Sequence, residues 1–216
     1  MKPGLSIVIA ALALVLAVPA ARADIGINPR VGFLGYGIEV SAGVSDRLSL
    51  GVGFNNATRK RQGTTEGVDY EYDLRLRSGE VMANFHPFAG AFRLRAGALL
   101  NRNEFILTGR PGGSGTYDFN GTTYTAAEVG TLTGKVSFNR SAPYLGLGWG
   151  NRPNGNWGLT FDLGAVYQGK PKFSLEATGA AAGLAADLEA ERQQAEQDLK
   201  SFKWYPVLQL GLYFRF

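Results

Sequence analysis

The sequence has no cysteine and a single histidine, His86. Without cysteine the chain is not a disulfide scaffold. With one histidine it lacks the usual general base of nucleophilic catalysis, and no metal-ligand cluster exists. His86 abuts Pro87 and reads as a turn residue facing the periplasm. No serine stands in a G-x-S-x-G setting, and nothing marks an acidic pair for an Asp/Glu mechanism. The 22 basic and 18 acidic residues give a net charge of only +4, which is no nucleic-acid signature. Past the first two dozen residues, no apolar run approaches the ~18 residues a membrane helix needs.

The start of the chain is a targeting signal. Lys2 precedes the apolar run LSIVIAALALVLAV, Leu5 to Val18. Pro19 breaks that run, and Ala21-Arg22-Ala23 forms an A-x-A cleavage step. Residues 1–23 are therefore expected to be a cleaved signal peptide, with a retained anchor as the alternative. Residues 24–216 form the mature domain, with 20 basic against 18 acidic residues once Lys2 and Arg22 are removed.

What the chain does have is glycine, 30 in all, a 12% aromatic share, and, past residue 23, a period of two. Ile38, Val40, Ala42 and Val44 alternate with Glu39, Ser41, Gly43 and Ser45. The same alternation runs through 48–55, 68–77, 92–101 and 159–168, and the last residues, VLQLGLYFRF, repeat it. This is the strand period. A soluble β-sandwich would also alternate. The export signal, the long strands and the apolar aromatic terminus favour an antiparallel transmembrane β-barrel, with its apolar face on lipid and its polar face on the lumen. The apolar parity changes at Ser78-Gly79 and again around Arg140–Pro143, where bulges are expected.

Short and long connections alternate, as in bacterial outer-membrane barrels. Phe85, Phe88, Phe92, Trp149 and Trp157 cluster at the short turns and are expected to form a periplasmic aromatic girdle. Seven strands are evident; a first strand from Ile25 to Phe33, interrupted by Pro29, makes eight. In the long connection 109–130, Asn120-Gly121 is a two-residue hairpin signal. Strands four and five should extend beyond the bilayer there, with the hairpin folded over the mouth. LAADLEAERQQAEQDLKSF, Leu184 to Phe202, is expected to be an external amphipathic helix with Leu188, Ala195, Leu199 and Phe202 on one stripe.

Stretches such as LGYGIEV, FHPFAGAFRLRAGALLN, APYLGLGWGN and FKWYPVLQLGLYFRF resemble the small eight-stranded outer-membrane barrels of Gram-negative bacteria, the OmpA-like, OmpX-like and OmpW-like group. The terminal YFRF looks like their C-terminal assembly signal, carried here by Leu212, Phe214 and Phe216. The resemblance implies residence in the outer membrane. It also implies contact with outer-membrane lipid and lipopolysaccharide, and recognition of the last strand by the barrel-assembly machinery. No cofactor, metal or nucleic acid is expected.

With the polar parity of each strand turned inward, the lumen would hold Glu39, Asp73, Arg75, Arg77, Arg93, Arg95, Asp162, Gln209 and Arg215. Eight strands leave barely enough room for side chains, so mixed charges there should pair into a plug. The alternative is an anion-favouring pathway, with glycines 51, 53, 97, 164 and 211 leaving gaps for water. The function expected is non-enzymatic, a structural or interaction role carried by external loops. A narrow pore or a route for small apolar molecules is the alternative, and an outer-membrane enzyme is the weakest reading.

Overall fold

A computed structural model describes residues 25–65, 68–111, 115–150 and 156–216. The expected signal peptide lies outside the described residues. In chain order the elements are β1 (Ile25–Gly32), β2 (Gly35–Ser45), β3 (Leu48–Thr65), β4 (Val68–Phe85), β5 (Phe92–Asn101), β6 (Glu104–Pro111), β7 (Thr116–Phe119) and β8 (Thr122–Thr125). There follow a short helix α1 (Ala126–Val129), β9 (Leu132–Ser137), β10 (Ser141–Trp149), β11 (Trp157–Tyr167), β12 (Lys172–Ala177), α2 (Leu184–Asp198), a 3-10 turn (Leu199–Ser201) and β13 (Trp204–Arg215).

Eight strands close an antiparallel barrel. Its wall runs β1-β2-β3-β4-β5-β10-β11-β13, and β13 returns to β1. Closure satisfies every wall strand on both sides, which hydrocarbon demands because it offers no water to an open edge. Wall strands such as β5, β10 and β11 hold 10, 9 and 11 residues, the length needed for a tilted crossing of ~9–11 residues. The first strand forms as expected despite Pro29, but its ladder to β13 is interrupted over Asn28 and Pro29: Ile27 pairs Phe214 and the next pair is Arg30 with Gly211. A proline has no N–H to contribute there.

β3 and β4 behave differently. Each is 18 residues long, and their ladder is continuous from Leu48–Phe85 to Thr65–Val68. The bulge expected at Ser78-Gly79 is therefore absent. Parity is conserved along β4; the environment changes instead. Below Ser78 the even positions Glu80, Met82 and Asn84 are buried in the lumen, and Phe85 is exposed outward. Above it the outward positions become Arg77 and Arg75, while Val68 on the inward side enters an apolar core. β3 changes over at the same level, from outward Phe54 to outward Asn56. This level marks the outer edge of the hydrocarbon. The second parity change, near Arg140, is a strand break: β9 belongs to the part of the sheet outside the membrane and β10 to the barrel wall, and Phe138-Asn139-Arg140 joins them.

Above that edge β5 gives way to β6, and the upper halves of β3 and β4 continue into a five-stranded external sheet in the order β3-β4-β6-β9-β12. Barrel strands three and four extend unbroken, whereas the strands flanking 109–130 continue outside the membrane only as separate segments, β6 and β9. One face of this sheet carries an ion-pair ladder: Lys60 to Glu71 at 3.4 Å, Arg75 to Asp73 at 2.6 Å, Arg75 to Glu104 at 3.6 Å, and Lys135 to Glu104. The other face is apolar. Tyr117, Phe119 and Tyr124 of the β7–β8 hairpin pack there with Val68, Val129, Leu132, Leu184 and Leu188. Burying each such side chain contributes ~1.5–3 kcal/mol, so the cap has a core of its own. Asn120 and Gly121 have φ of 51° and 79°, the left-handed pair of a type I′ turn. The hairpin thus packs between the external sheet and α2. Leu184 and Leu188 are the buried residues of α2; Phe202, expected on the same stripe, is exposed. α2 also lies along the edge strand β12, where the Phe173 N–H donates to Glu196 Oε1 at 3.3 Å. A side-chain acceptor on an edge N–H blunts strand addition.

Candidate functional site

Six charged side chains meet inside the barrel, each at most 5% exposed: Arg30 from β1, Glu39 from β2, Glu80 from β4, Arg93 and Arg95 from β5, and Asp162 from β11. Alternation aims each one inward, and wall curvature brings distant strands within reach. Arg30 Nη1 is 3.0 Å from Glu39 Oε2, and its Nη2 meets Glu80. Arg95 Nη2 meets Glu39 and lies 2.8 Å from Glu80 Oε1, while its Nη1 is 3.5 Å from Asp162 Oδ2. Arg93 Nη2 donates to Asp162 Oδ1 at 2.6 Å and its Nη1 to the Gly150 carbonyl at 2.8 Å. Three guanidinium groups thus face three carboxylates. Neutral groups extend the network: Asn55 Nδ2 donates to Glu80 Oε2 at 2.9 Å, and Gln209 Nε2 donates to Asn55 Oδ1 at 3.1 Å.

Toward the outside the lumen turns apolar. Leu34, Met82, Leu99, Ala142, Tyr144, Val166 and Val207 form a second buried cluster, with Tyr205 packed on it. The Tyr205 hydroxyl donates to the Phe33 carbonyl at 2.7 Å. The lumen glycines do not leave water gaps. A Cβ at Gly51 would lie 3.0 Å from the Glu39 carboxyl carbon, and one at Gly53 3.1 Å from Arg30 Nη2. Gly146 and Gly164 both accommodate the Tyr144 phenol. These positions are small because side chains from across the barrel fill them.

Of the residues expected to line the lumen, Glu39, Arg93, Arg95, Asp162 and Gln209 lie inside it and are buried. Asp73 and Arg75 lie outside the lumen, in the ion-pair ladder of the external sheet, where Asp73 is buried and Arg75 exposed. Arg77 is exposed at the rim, where its N–H donates to Asn103 Oδ1 at 2.8 Å. Arg215 is half-buried opposite Gly26 at the periplasmic end. Arg30, Glu80 and Asn55 were missed by the sequence pattern. His86 does not face the periplasm: its side chain is 2% exposed, at the periplasmic end of the inward face of β4. Among the described residues no group of three or more His, Asp or Glu side chains is placed to hold a metal.

Phe85, Phe88, Trp149 and Trp157 are exposed at the periplasmic end, and Phe92 stacks edge-on with Trp149 at 5.4 Å. Leu212, Phe214 and Phe216 all project outward from the end of the last strand. In the cap, the Tyr124 hydroxyl donates to Asp187 Oδ2 at 2.7 Å, and Asn120 Nδ2 donates to Asp187 Oδ1 at 3.3 Å. The first of these bonds holds the Asp187 carboxyl below its ordinary range, with the Asn120 bond adding to the effect. The same bond, with desolvation, pushes the Tyr124 phenol up to about 12. Thr125 and Glu128 form a capping box at the start of α1.

A closed eight-stranded barrel with an outward apolar band, an aromatic end and a polar interior is a small outer-membrane β-barrel of the Gram-negative type. No family model matches the sequence, and no curated protein matches it. Solved structures do. CarO of Acinetobacter baumannii aligns over 89% of this chain and 98% of its own length, with a TM-score of 0.60 and 25% identity. CarO2 of the same organism gives a TM-score of 0.61 at 24% identity, with the same coverage. Ail, the attachment invasion locus protein of Yersinia pestis, aligns over 90% of this chain at a TM-score of 0.38 and 11% identity, too distant to bear on function.

Proposed function

We propose that the protein is a membrane-anchored interaction module: a sealed barrel that holds a folded cap at the outer surface of the outer membrane. The observation that carries this reading is the filling of the lumen. Its central charges are cross-neutralised, an apolar layer lies above them, and its glycines are occupied by opposing side chains. A conducting route would need wetted, mobile charge, whereas paired and buried charge is costly to disturb. The cap, by contrast, spends about half of β3 and β4, five more strands and two helices on an independent core. The burial of His86, the single histidine, supports a non-enzymatic role.

Single-channel recording in planar bilayers tests the reading. The refolded chain is expected to be electrically silent, with folding confirmed by its heat-modifiable migration. Discrete conductance steps that change when Arg93 or Arg95 is replaced would overturn the sealed barrel and restore transport.

A further inference from the structure

At the outer ends of β11 and β13, Tyr167 and Trp204 form an edge-to-face pair with ring centroids 5.0 Å apart. Both rings are exposed and point to the lipid side, where aromatic side chains settle at a membrane interface. Directly above them a cleft of about 690 Å³ opens between the β11–β12 connection and the C-terminal half of α2. Tyr167 lines it from below, and Lys170, Lys172 and Lys200 line its sides. Lys170 follows Tyr167 by three residues and Lys200 precedes Trp204 by four, so these ammonium groups are tethered close to the interface.

The charge in this cleft is uncompensated. Among the described residues none of the three lysines forms an ion pair, although five other cations of the external sheet and α2 do: Lys60, Arg75, Arg110, Lys135 and Arg192. The one carboxylate of the lining, Glu196, is already engaged. It accepts the Phe173 N–H and pairs with Arg192 Nη1 at 2.9 Å. Asn139, Gln193 and Gln197 add neutral hydrogen-bonding groups. Three free ammonium groups with amide donors suit a phosphate. An aromatic floor continuous with the lipid face suits the acyl chains that a lipid phosphate brings with it.

We propose that this cleft binds the phosphorylated headgroup of an outer-leaflet lipid, with Lys170, Lys172 and Lys200 holding the phosphate and the chains descending past Tyr167 and Trp204. The site is independent of what the rest of the cap contacts, and its failure would leave the conductance result untouched.

The test uses the full chain refolded into phosphatidylcholine nanodiscs that contain lipid A, either phosphorylated or enzymatically dephosphorylated. The protein is then extracted into mild detergent, and the lipid A retained per chain is counted by mass spectrometry across a range of lipid A contents. Phosphorylated lipid A should be retained and the dephosphorylated form lost. Each juxtamembrane lysine contributes about five-fold in affinity, so Lys170→Gln, Lys172→Gln and Lys200→Gln together should weaken retention roughly a hundredfold. Arginine at the same three positions should preserve it. The charge-matched set Arg47→Gln, Arg59→Gln and Arg61→Gln, all exposed elsewhere, should leave it unchanged. Equal retention of both lipid forms, or an equal loss in the control set, would overturn the proposal. So would displacement of lipid A by millimolar inorganic phosphate, which would mean that the cleft takes the free anion.

Discussion

Arg30 on β1 and Glu80 on β4 form an ion pair across the lumen, although β2 and β3 separate them in the wall. The pair is possible because an eight-stranded barrel is only as wide as two facing side chains. It is one link of a network in which each carboxylate also meets a guanidinium from another strand.

Arg95 is the hub of that network, facing Glu39, Glu80 and Asp162. Replacing it by Met leaves buried carboxylates short of a counter-charge. Loss of one partner from a buried pair costs ~3–5 kcal/mol. Arg95→Met should therefore unfold at clearly lower urea than the unmodified chain, measured by the loss of heat-modifiable migration. Lys60→Met, whose pair with Glu71 lies at the surface, should change the midpoint little, since such pairs contribute ~0–1 kcal/mol.

Gly53 faces the same network at close range. A valine there would press on Arg30, Glu80 and the Ile38 carbonyl. Overpacking of this kind costs ~1–3 kcal/mol. Gly53→Val should lower the refolding yield, whereas Gly158→Val, with open space around its Cβ, should refold normally.

The Tyr124–Asp187 bond makes the docking of α2 on the hairpin sensitive to pH at both extremes. The Asp187 carboxyl is depressed, so its contribution is present above the ordinary carboxylate value of ~3.9 and is lost as pH falls through its lower folded value. The Tyr124 phenol is raised to about 12, so its contribution is complete below ~10 and is lost as pH rises through 12. Hydrogen exchange of the first turns of α2, corrected for intrinsic rates, should be slowest and flat between those limits. Tyr124→Phe should speed exchange across that plateau and abolish the alkaline arm; unchanged exchange would show that the bond does not hold the helix.

Gly121 has φ of +79°, and a branched side chain is strained there. Gly121→Val should loosen the β7–β8 hairpin by ~1–2 kcal/mol. Limited proteolysis should then cut near Asn120 while the barrel keeps its heat-modifiable migration.

The sequence pattern located the wall strands because lipid and lumen impose opposite chemistry on alternate residues. Glu39, Arg93, Arg95, Asp162 and Gln209 follow that alternation without interruption. Asp73, Arg75 and Arg77 follow it too, and for that reason they misled. β4 keeps its parity through 18 residues while its surroundings change from bilayer to solvent, and periodicity carries no information about depth. Arg30 was hidden by Pro29, and Glu80 by Met82, which makes the inward face of β4 look mixed. The five-stranded external sheet was illegible for another reason. β6, β9 and β12 are strands of 6 to 8 residues inside segments that read as loops, and their partners are set by the overhang of β4.

The distribution of the six central charges also bears on how the barrel is made. Arg30, Glu39 and Glu80 sit on the first four wall strands and sum to one negative charge; Arg93, Arg95 and Asp162 sit on the last four and sum to one positive charge. Neither half of the wall is neutral by itself. A half-inserted sheet would hold an unmatched ion in a low-dielectric surrounding, whereas two halves brought together cancel. The attraction between the two halves therefore favours the shut ring over an open sheet.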